Sequence, residues 1–280
     1  MNSTQLPPIS VPTLLKAHGL IPKKSLGQNF LIDDTAIQRI VEGAGVQSTD
    51  TILEIGPGLG SLTRYLAINA KRVVAVELDQ KLIPVLNEVI SPYDNVEVIH
   101  GDMLKLNPNV IMRDDPFICI ANIPYYITSA LMRHLLEAKV RPERVVFTMQ
   151  KEVAERIIAA KGKMSLLSLS VHVYGSPARV AKIPARAFFP TPSVDSVTLR
   201  VDLYPEPRIP MAQIDQFFRL AKAGFSQKRK NLRNSLSGGL HLSKEETVKM
   251  LEQADIAPTR RAETLSLDEW GRLTTIFLSR

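Results

Sequence analysis

Two short segments of the chain combine residue types that could do chemistry on a flat heterocycle. The first follows Glu54 and contains three glycines at alternate positions, Gly56, Gly58 and Gly60. Glycines at this spacing form a tight turn in which a ligand can touch the backbone. In the second, residues 122–125 read Asn-Ile-Pro-Tyr, a set that can hold a flat base by its edge and its face. Together the segments predict chemistry on a nucleobase.

The glycine turn differs from the dinucleotide-binding fingerprint Gly-x-Gly-x-x-Gly, because its spacing is tighter and an acid, Glu54, precedes it. That acid would repel a pyrophosphate but suits a cationic or amine-bearing ligand. S-adenosylmethionine carries a sulfonium, an amino-acid head and an adenosine without any phosphate. We therefore expect S-adenosylmethionine as the cofactor. No metal is expected, because the five histidines lack metal-ligand spacing.

Two further acids are expected to complete the cofactor pocket. Glu77 closes a predicted strand 23 residues after Glu54, where a carboxylate can accept hydrogen bonds from both ribose hydroxyls. Asp102 ends the next predicted strand and could accept from the adenine amine. The alternative role of Asp102 is that of a helix cap or a turn residue.

The 122–125 segment is expected to hold the target base. Methylation of an exocyclic adenine amine requires that the amine is held in line with the methyl group and that its protons are hydrogen-bonded. Asn122 can accept through its side-chain oxygen, and Pro124 or Ile123 can offer a backbone carbonyl. Tyr125 can stack on the base. A plain strand-to-helix turn is the alternative, because Asn-x-Pro is common in turns.

A proline-stiffened loop at 187–196 is a second candidate for base binding. Its aromatic residues, Phe188 or Phe189, could close on the opposite face of a flipped base. Burial of these rings in the core is the alternative.

The chain from 34 to 150 alternates between helical and strand patterns, which predicts right-handed βαβ units and a parallel sheet. The predicted strands are 51–55, 72–76, 96–99, 117–121 and 144–150, and the helices are 34–44, 61–70, 80–90 and 128–138. The polar residues Glu54, Glu77, Asp102 and Asn122 lie at or next to strand ends, where open α/β sheets bind ligands. The fold class predicted is α/β, with a Rossmann-like class I methyltransferase domain.

The pattern changes towards the C-terminus. Strands are predicted at 169–174 and 196–204, a proline-rich linker follows, and the remaining segments are helical: 214–223, 229–236, 244–254 and 267–279. We predict a domain at 1–205, whose arm at 1–20 includes a loose Pro-rich stretch at 1–12, and a small all-helical domain at 206–280.

The net charge of +7 is unevenly distributed. Residues 208–280 contain 13 Lys/Arg and 8 Asp/Glu, and 216–240 contain six basic residues without an acid. A one-sided basic surface favours nucleic acid; a solvated helix face is the alternative. The candidate phosphate contacts there are Lys222, Lys228, Arg229, Lys230 and Arg233, of which Lys222, Arg229 and Arg233 share one face if the helix is continuous.

The N-terminal 32 residues contain no acid, and their basic residues include Lys23 and Lys24. A basic arm against a polyanion explains this composition, with an organellar transit peptide as the alternative. The lone Cys119 excludes an internal disulfide and fits a reducing compartment. Neither a membrane span nor a secretory signal is predicted, so a cytoplasmic protein is expected.

The order of five motifs resembles the rRNA adenine N6,N6-dimethyltransferase family, in its small-subunit branch. The motifs lie at 23–31 (Lys-Lys-Ser-Leu-Gly-Gln-Asn-Phe-Leu), 54–60, 122–125, 188–196 and 223–234. The resemblance covers about residues 14–275, and the first and third motifs are the specific ones. It implies a helical rRNA-binding domain after the methyltransferase domain. It also implies dimethylation of two adjacent adenines in a hairpin loop near the 3′ end of small-subunit rRNA, during ribosome assembly.

The resemblance also assigns site residues. Contacts to the cofactor would come from Asn29, Leu31, Gly56, Glu77, Asp102 and Asn122, with Gly58 in the same turn. Contacts to the base would come from Asn122, Pro124, Tyr125 and Phe188. The expected partner is the rRNA of an immature small ribosomal subunit, bound by a monomer, with no membrane partner.

Two other hypotheses remain at this point. One is a resistance-type methylase of large-subunit rRNA. Ile123 resembles those relatives, and Tyr126 is a second departure from the small-subunit pattern, but the long basic module at 205–280 argues against this hypothesis. The other is a non-catalytic assembly or transcription factor that keeps the fold to bind RNA. The intact set of Glu54, Glu77, Asp102 and Asn122 speaks against lost catalysis.

Overall fold

The computed structural model describes residues 6–123, 127–160 and 162–280. Its strands are β1 (Phe30–Leu31), β2 (Thr51–Ile55), β3 (Arg72–Glu77), β4 (Val96–His100), β5 (Ile118–Asn122), β6 (Arg144–Gln150), β7 (Gly175–Ile183), β8 (Phe188–Phe189) and β9 (Ser196–Leu203). Its helices are α1 (Val11–Ala17), α2 (Asp34–Ala44), α3 (Ser61–Asn69), α4 (Ile83–Ile90), α5 (Pro108–Met112), α6 (Thr128–Leu136), α7 (Lys151–Ile158), α8 (Leu166–His172), α9 (Ile214–Phe225), α10 (Leu232–Leu240), α11 (Lys244–Gln253) and α12 (Leu267–Leu278). None of the helices in these ranges is long and apolar enough to cross a membrane.

The chain separates into two compact units. The first comprises Met1–Ala154 and Ala178–Leu203, and the second comprises Glu155–Pro177 and Tyr204–Arg280. The segment 155–177 thus groups with the C-terminal helices. The division into functional domains at 1–205 and 206–280 stays a prediction.

The first unit contains a seven-stranded sheet in the order β4-β3-β2-β5-β6-β9-β7. The five strands β2 to β6 run parallel, and β9 pairs with β6 antiparallel. The central strands are almost wholly buried because helices cover both faces, which accounts for their runs of Val and Ile. The predicted α/β fold with a mostly parallel central sheet is therefore confirmed.

Local signals set the ends of the helix that precedes the sheet. The Asp33 side chain accepts a hydrogen bond from the Ala36 N–H at 2.9 Å and caps the start of α2. Gly45 ends the helix in the left-handed conformation, with φ of 65°. Both ends agree with the predicted helix at 34–44.

The strand predicted at 169–174 is wrong, because Leu166–His172 forms α8. A short apolar run fits a buried helix as well as a strand, and periodicity alone does not separate them. A capping box decides this case: Ser165 accepts from the Ser168 N–H at 3.1 Å, and Ser168 Oγ accepts from the Ser165 N–H at 2.7 Å. The strand β7 follows this helix and was not predicted.

The N-terminal segment is anchored by α1, although Pro7, Pro8 and Ser10 of the predicted loose stretch precede this helix and are exposed. In α1, Val11 and Leu15 are buried in an apolar cluster with Phe30, Leu59 and Leu82. This helix therefore supports the segment that leads into β1.

The second unit is built around the buried Trp270 of α12. The Phe225 ring stacks on this indole with centroids 5.8 Å apart. Helix α9 ends at Phe225 and α10 begins only at Leu232, because the Asn231 side chain accepts from the Asn234 N–H and caps the new helix. The predicted helix start at 229 is therefore wrong. Lys222, Arg229 and Arg233 do not share a face of one continuous helix.

Candidate active site

One pocket in the first unit collects the predicted cofactor and base residues. It lies at the C-terminal ends of the parallel strands, and its lining includes Asn29, Leu31, Gly56, Gly58, Glu77, Asp102, Asn122 and Phe188. Pro124 and Tyr125 lie outside the described residues. The side chains named from four strand ends and two distant loops thus face a single cavity.

The glycine turn adopts a backbone that side chains rarely tolerate. Gly56 has φ of 71° and Gly58 has φ of 61°. A Cβ on Gly56 would meet only the Asn122 carbonyl at 3.9 Å, so a ligand can come close to this backbone. A Cβ on Gly58 would lie 2.9 Å from the Phe30 ring, so this glycine is also needed for packing.

The Glu77 carboxylate is held in place by backbone donors on both oxygens. Oε2 accepts from the Gly58 N–H at 3.0 Å, and Oε1 accepts from the Asp79 N–H at 2.7 Å. Burial raises the pKa of Glu77 more than these donors lower it. Each oxygen keeps a second lone pair, so the oriented carboxylate can accept from two vicinal hydroxyls.

Glu54 is a buried acid without a compensating charge. Its side chain is 1% exposed, and Oε2 has no hydrogen-bond partner among the residues that the structure describes. Burial above all, together with the Glu77 carboxylate, raises the pKa of Glu54 to about 8 against a lowering by Thr63. Such an uncompensated acid in a pocket indicates a ligand site. A cationic ligand would satisfy it, so the donor set fits the methyl donor S-adenosylmethionine.

The Asn122 amide has a defined orientation. Its Nδ2 donates to the Asn29 carbonyl at 3.1 Å. Because a carbonyl can only accept, this contact assigns the amide nitrogen to the Asn29 side and directs Oδ1, the acceptor, elsewhere. Two motifs that lie far apart in sequence therefore meet at this contact.

The loop that contains Phe188 forms a second wall of the pocket. Strands β8 and β1 pair antiparallel, with Phe188 opposite Leu31, and the Ile32 N–H donates to the Ala187 carbonyl at 2.9 Å. Phe188 is buried in the core, which was its alternative role, and it also lines the pocket. Its contact with a base stays a prediction. The pairing was not predicted from the sequence.

Asp102 follows β4 and lines the pocket, while its Oδ1 accepts from the Leu104 N–H at 3.1 Å. It therefore also has the turn role that was its alternative. Several apolar residues of the lining were not predicted from the sequence, among them Leu78 and Met103. Each of these two directly follows a strand-end acid, and that position was the signal that could have identified them.

The predicted RNA-binding residues fall into two groups. Lys23 lies with Nζ 2.7 Å from Asp79 Oδ1 in the first unit, whereas the adjacent Lys24 is exposed. In the second unit, all the candidate cations are exposed: Lys222, Lys228, Arg229, Lys230 and Arg233. Over the described ranges, no cluster of three or more His, Cys, Asp or Glu side chains could hold a metal ion.

Comparison with known proteins is consistent with this geometry. Among curated relatives, the ribosomal RNA small subunit methyltransferase A of Dehalococcoides mccartyi (strain CBDB1) is 46% identical over 93% of this chain and 90% of its own length. The enzyme of that name from Bacillus licheniformis is 40% identical over 98% of this chain and 97% of its own.

Two solved structures are also similar. The 23S rRNA methyltransferase ErmE is 30% identical with a TM-score of 0.71, and covers 89% of this chain and 99% of its own. A dimethyladenosine transferase from Plasmodium falciparum is 26% identical with a TM-score of 0.76. The match covers 89% of this chain and 98% of that protein. The family model for ribosomal RNA adenine dimethylase matches residues 21–277. The chain therefore belongs to the ribosomal RNA adenine dimethylase family, whose reaction requires a methyl donor.

Proposed function

We propose that the protein transfers methyl groups from S-adenosylmethionine to N6 of two adjacent adenosines in a hairpin loop near the 3′ end of 16S rRNA. The proposal is supported by one observation: the carboxylates expected to bind the donor and the Asn122 residue expected to bind the base line the same pocket. A pocket with only one of these two sets would fit a binding protein rather than a transferase.

S-adenosylmethionine, when bound, supplies a methyl group on a positively charged sulfur. Glu77 would accept from the ribose hydroxyls and Asp102 from the adenine amine, while Leu78 and Met103 form apolar walls for the flat ring. Glu54 would face the cationic part of the ligand. Gly56 would let the turn backbone approach the ligand closely.

Asn122 would hold the target amine. Its Oδ1 would accept a hydrogen bond from the N6 amine, which favours a pyramidal nitrogen whose lone pair points towards the donor. Phe188 would contact one face of the base, and Tyr125 would stack on the other. The backbone carbonyl of Pro124 is the proposed second acceptor. No strong base is required, because the product nitrogen loses its proton to solvent after transfer.

The substrate assignment to the small subunit rests on the curated relatives. Those at 40–46% identity over most of their length are small-subunit methyltransferases, whereas the 23S rRNA methyltransferase among the solved structures is 30% identical. The exposed cations of the second unit would bind rRNA phosphates. We propose an immature small subunit in the cytoplasm as the partner, and a monomer as the acting form.

The test is transfer of labelled methyl groups from S-adenosylmethionine to undermethylated small and large subunits. Label in adjacent adenines of 16S rRNA is expected. Label in 23S rRNA alone would identify a resistance-type enzyme. A chain that binds RNA but neither binds S-adenosylmethionine nor transfers label would be a non-catalytic factor.

A variant sharpens this test at the base site. Asn122→Ala is expected to lower turnover at least about a hundredfold, because one preorganised contact to the reacting group is lost. Calorimetry should show that S-adenosylmethionine binding is largely retained. Asn87→Ala, at an exposed asparagine of α4, is the matched control. Wild-type turnover in Asn122→Ala would exclude the proposed role.

A further inference from the structure

A buried carboxylate that the sequence did not single out joins two walls of the pocket. Asp79 lies two residues after Glu77, and its side chain is 5% exposed. Its Oδ1 accepts from Lys23 Nζ at 2.7 Å, and its Oδ2 accepts from Gln28 Nε2 at 2.9 Å. The Lys23 backbone N–H donates to Gln28 Oε1 at 2.7 Å. The three residues therefore form a closed ring of hydrogen bonds.

The same residue also orients the ribose-binding acid. The Asp79 backbone N–H donates to Glu77 Oε1, so the position of Asp79 and the direction of the Glu77 carboxylate are coupled. The Lys81 N–H donates to Asp79 Oδ1 at 3.2 Å and fixes the turn from the other side. A shift of Asp79 would therefore be transmitted to Glu77.

The ring anchors the first part of the N-terminal motif, residues 23–28. Residues 29–31 are fixed by the base-site amide, the glycine turn and β8. Residues 23–28 precede them and include the short 3-10 turn Lys24–Leu26, and their side-chain anchor is Asp79. The segment that leads to Asn29 in the pocket wall is therefore held in position by Asp79.

Charge makes this anchor strong. Burial on its own would raise the pKa of Asp79, but hydrogen bonds from Lys23 and Gln28 outweigh it, so the pKa lies below its usual range. The carboxylate is therefore ionised at neutral pH, and its hydrogen bonds are charge-assisted. Lys23 in turn has its charge paired with the Asp79 carboxylate, and a paired lysine adds little to counterion release on RNA binding.

We infer that Asp79 is a positioning residue of the methyl-donor pocket, and that Lys23 is its counter-ion rather than an RNA contact. The inference rests on the proposed function, because it concerns how the chain holds its S-adenosylmethionine site. Asp79 acts through Glu77 and through the segment that ends in Asn29.

Titration calorimetry with S-adenosylmethionine on the full chain tests the positioning role. Asp79→Asn keeps the shape but removes the charge, and is expected to weaken binding about tenfold. Lys23→Met should weaken it to a similar extent, and the double variant should be no weaker than Asp79→Asn because both changes remove one pair. Lys23→Arg should restore most of the affinity, a rescue that general destabilisation would not produce.

The neighbouring Lys24 provides the matched control. Lys24→Met should leave the S-adenosylmethionine affinity unchanged, because Lys24 is exposed. Binding to a 16S rRNA 3′ hairpin is then measured across a salt series. Lys23→Met should keep the wild-type slope of log affinity against log salt, whereas loss of one phosphate contact reduces it by about 0.7–0.9. That reduction in Lys23→Met would overturn its assignment as a counter-ion.

The outcomes separate the two levels of the argument. If the wild-type chain does not bind S-adenosylmethionine, the proposed function is overturned and the inference with it. If the wild type binds and Asp79→Asn binds equally well, the inference alone is overturned. Circular dichroism at the assay temperature checks folding, and Lys23→Met carries the test if Asp79→Asn does not fold.

Discussion

Lysines in two regions of the molecule carry the same charge in opposite settings. In the first unit, Lys23 is 39% exposed, and its ammonium contacts the buried Asp79. In the second unit, Lys222, Lys228 and Lys230 are exposed, and no ion pair involves them over the described part of the chain. From sequence alone, both groups were candidates for RNA phosphates.

The difference shows that the partner, and not the residue type, decides what a basic side chain does. A lysine paired with a buried carboxylate stabilises local structure, because removing it would leave the buried carboxylate without a compensating charge. An exposed and unpaired lysine contributes little to folding, but can neutralise a phosphate and release its counterions. Substitution of a paired lysine should therefore change ligand affinity and stability. Substitution of an exposed, unpaired lysine should change salt-dependent RNA binding.

The largest effect is expected from removing the exposed cations of the second unit. Replacement of Lys222, Lys228, Arg229, Lys230 and Arg233 by Gln should reduce the salt slope by about 3 to 5, and low-salt rRNA affinity at least about a hundredfold. Filter binding to a 16S rRNA hairpin across a salt series measures both. S-adenosylmethionine affinity should not change.

Lys71→Gln, an exposed lysine of the first unit, is the control for that experiment. A quintuple variant with the wild-type slope would mean that exposure and lack of a partner do not identify phosphate contacts.

The next effect concerns a buried acid that lacks a cationic partner. Because the folded-state pKa of Glu54 is raised to about 8, its favourable contribution is complete at low pH and is lost as pH rises towards 8. The free energy of unfolding of the ligand-free protein should therefore fall by up to about 1.4 kcal/mol per pH unit between pH 5 and 8 from this group. Urea unfolding at several pH values measures it.

Glu54→Gln should remove that part of the pH dependence and leave the variant more stable than the wild type at pH 8. Glu42→Gln, at an exposed glutamate of α2, should leave the pH dependence of the free energy of unfolding unchanged. If the Glu54→Gln protein keeps the full slope, an acid elsewhere is responsible.

The smallest effect is steric. Gly58→Ala combines a positive φ with a Cβ 2.9 Å from the Phe30 ring, and should cost about 1–3 kcal/mol of stability. Gly19→Ala is a matched control, because Gly19 has a similar φ of 62° and no atom within 4 Å of its Cβ. Comparing the thermal unfolding of the two variants separates the cost of the contact with Phe30 from the cost of the backbone strain. An equal loss in the two variants would show that only the backbone strain matters.

Local patterns predicted much of the pocket. Strand ends can be located from runs of buried β-branched residues, so Glu77, Asp102 and Asn122 could be assigned to one edge of a sheet before any coordinates. Contacts between distant segments could not be predicted this way. The pairing of β1 with β8 and the contact of Lys23 with Asp79 depend on tertiary packing, which no local period encodes.

The wrong strand at 169–174 and the wrong helix start at 229 also result from contacts that no local period encodes, here between residues a few positions apart. The run at 169–174 has no period that separates helix from strand, and Ser165 decides it through a side-chain cap. The start of α10 likewise depends on the Asn231 side chain rather than on the helix propensity of Arg229.

The two-residue ladder between β1 and β8 has a consequence for biosynthesis. Phe189, the partner of Phe30, comes much later in the chain, so the N-terminal motif is synthesised well before the strand that covers it. Until then the apolar side chains around Phe30 and Leu31 lack that cover during synthesis. The pocket wall that contains Phe188 can therefore form only after the chain has been synthesised beyond β8.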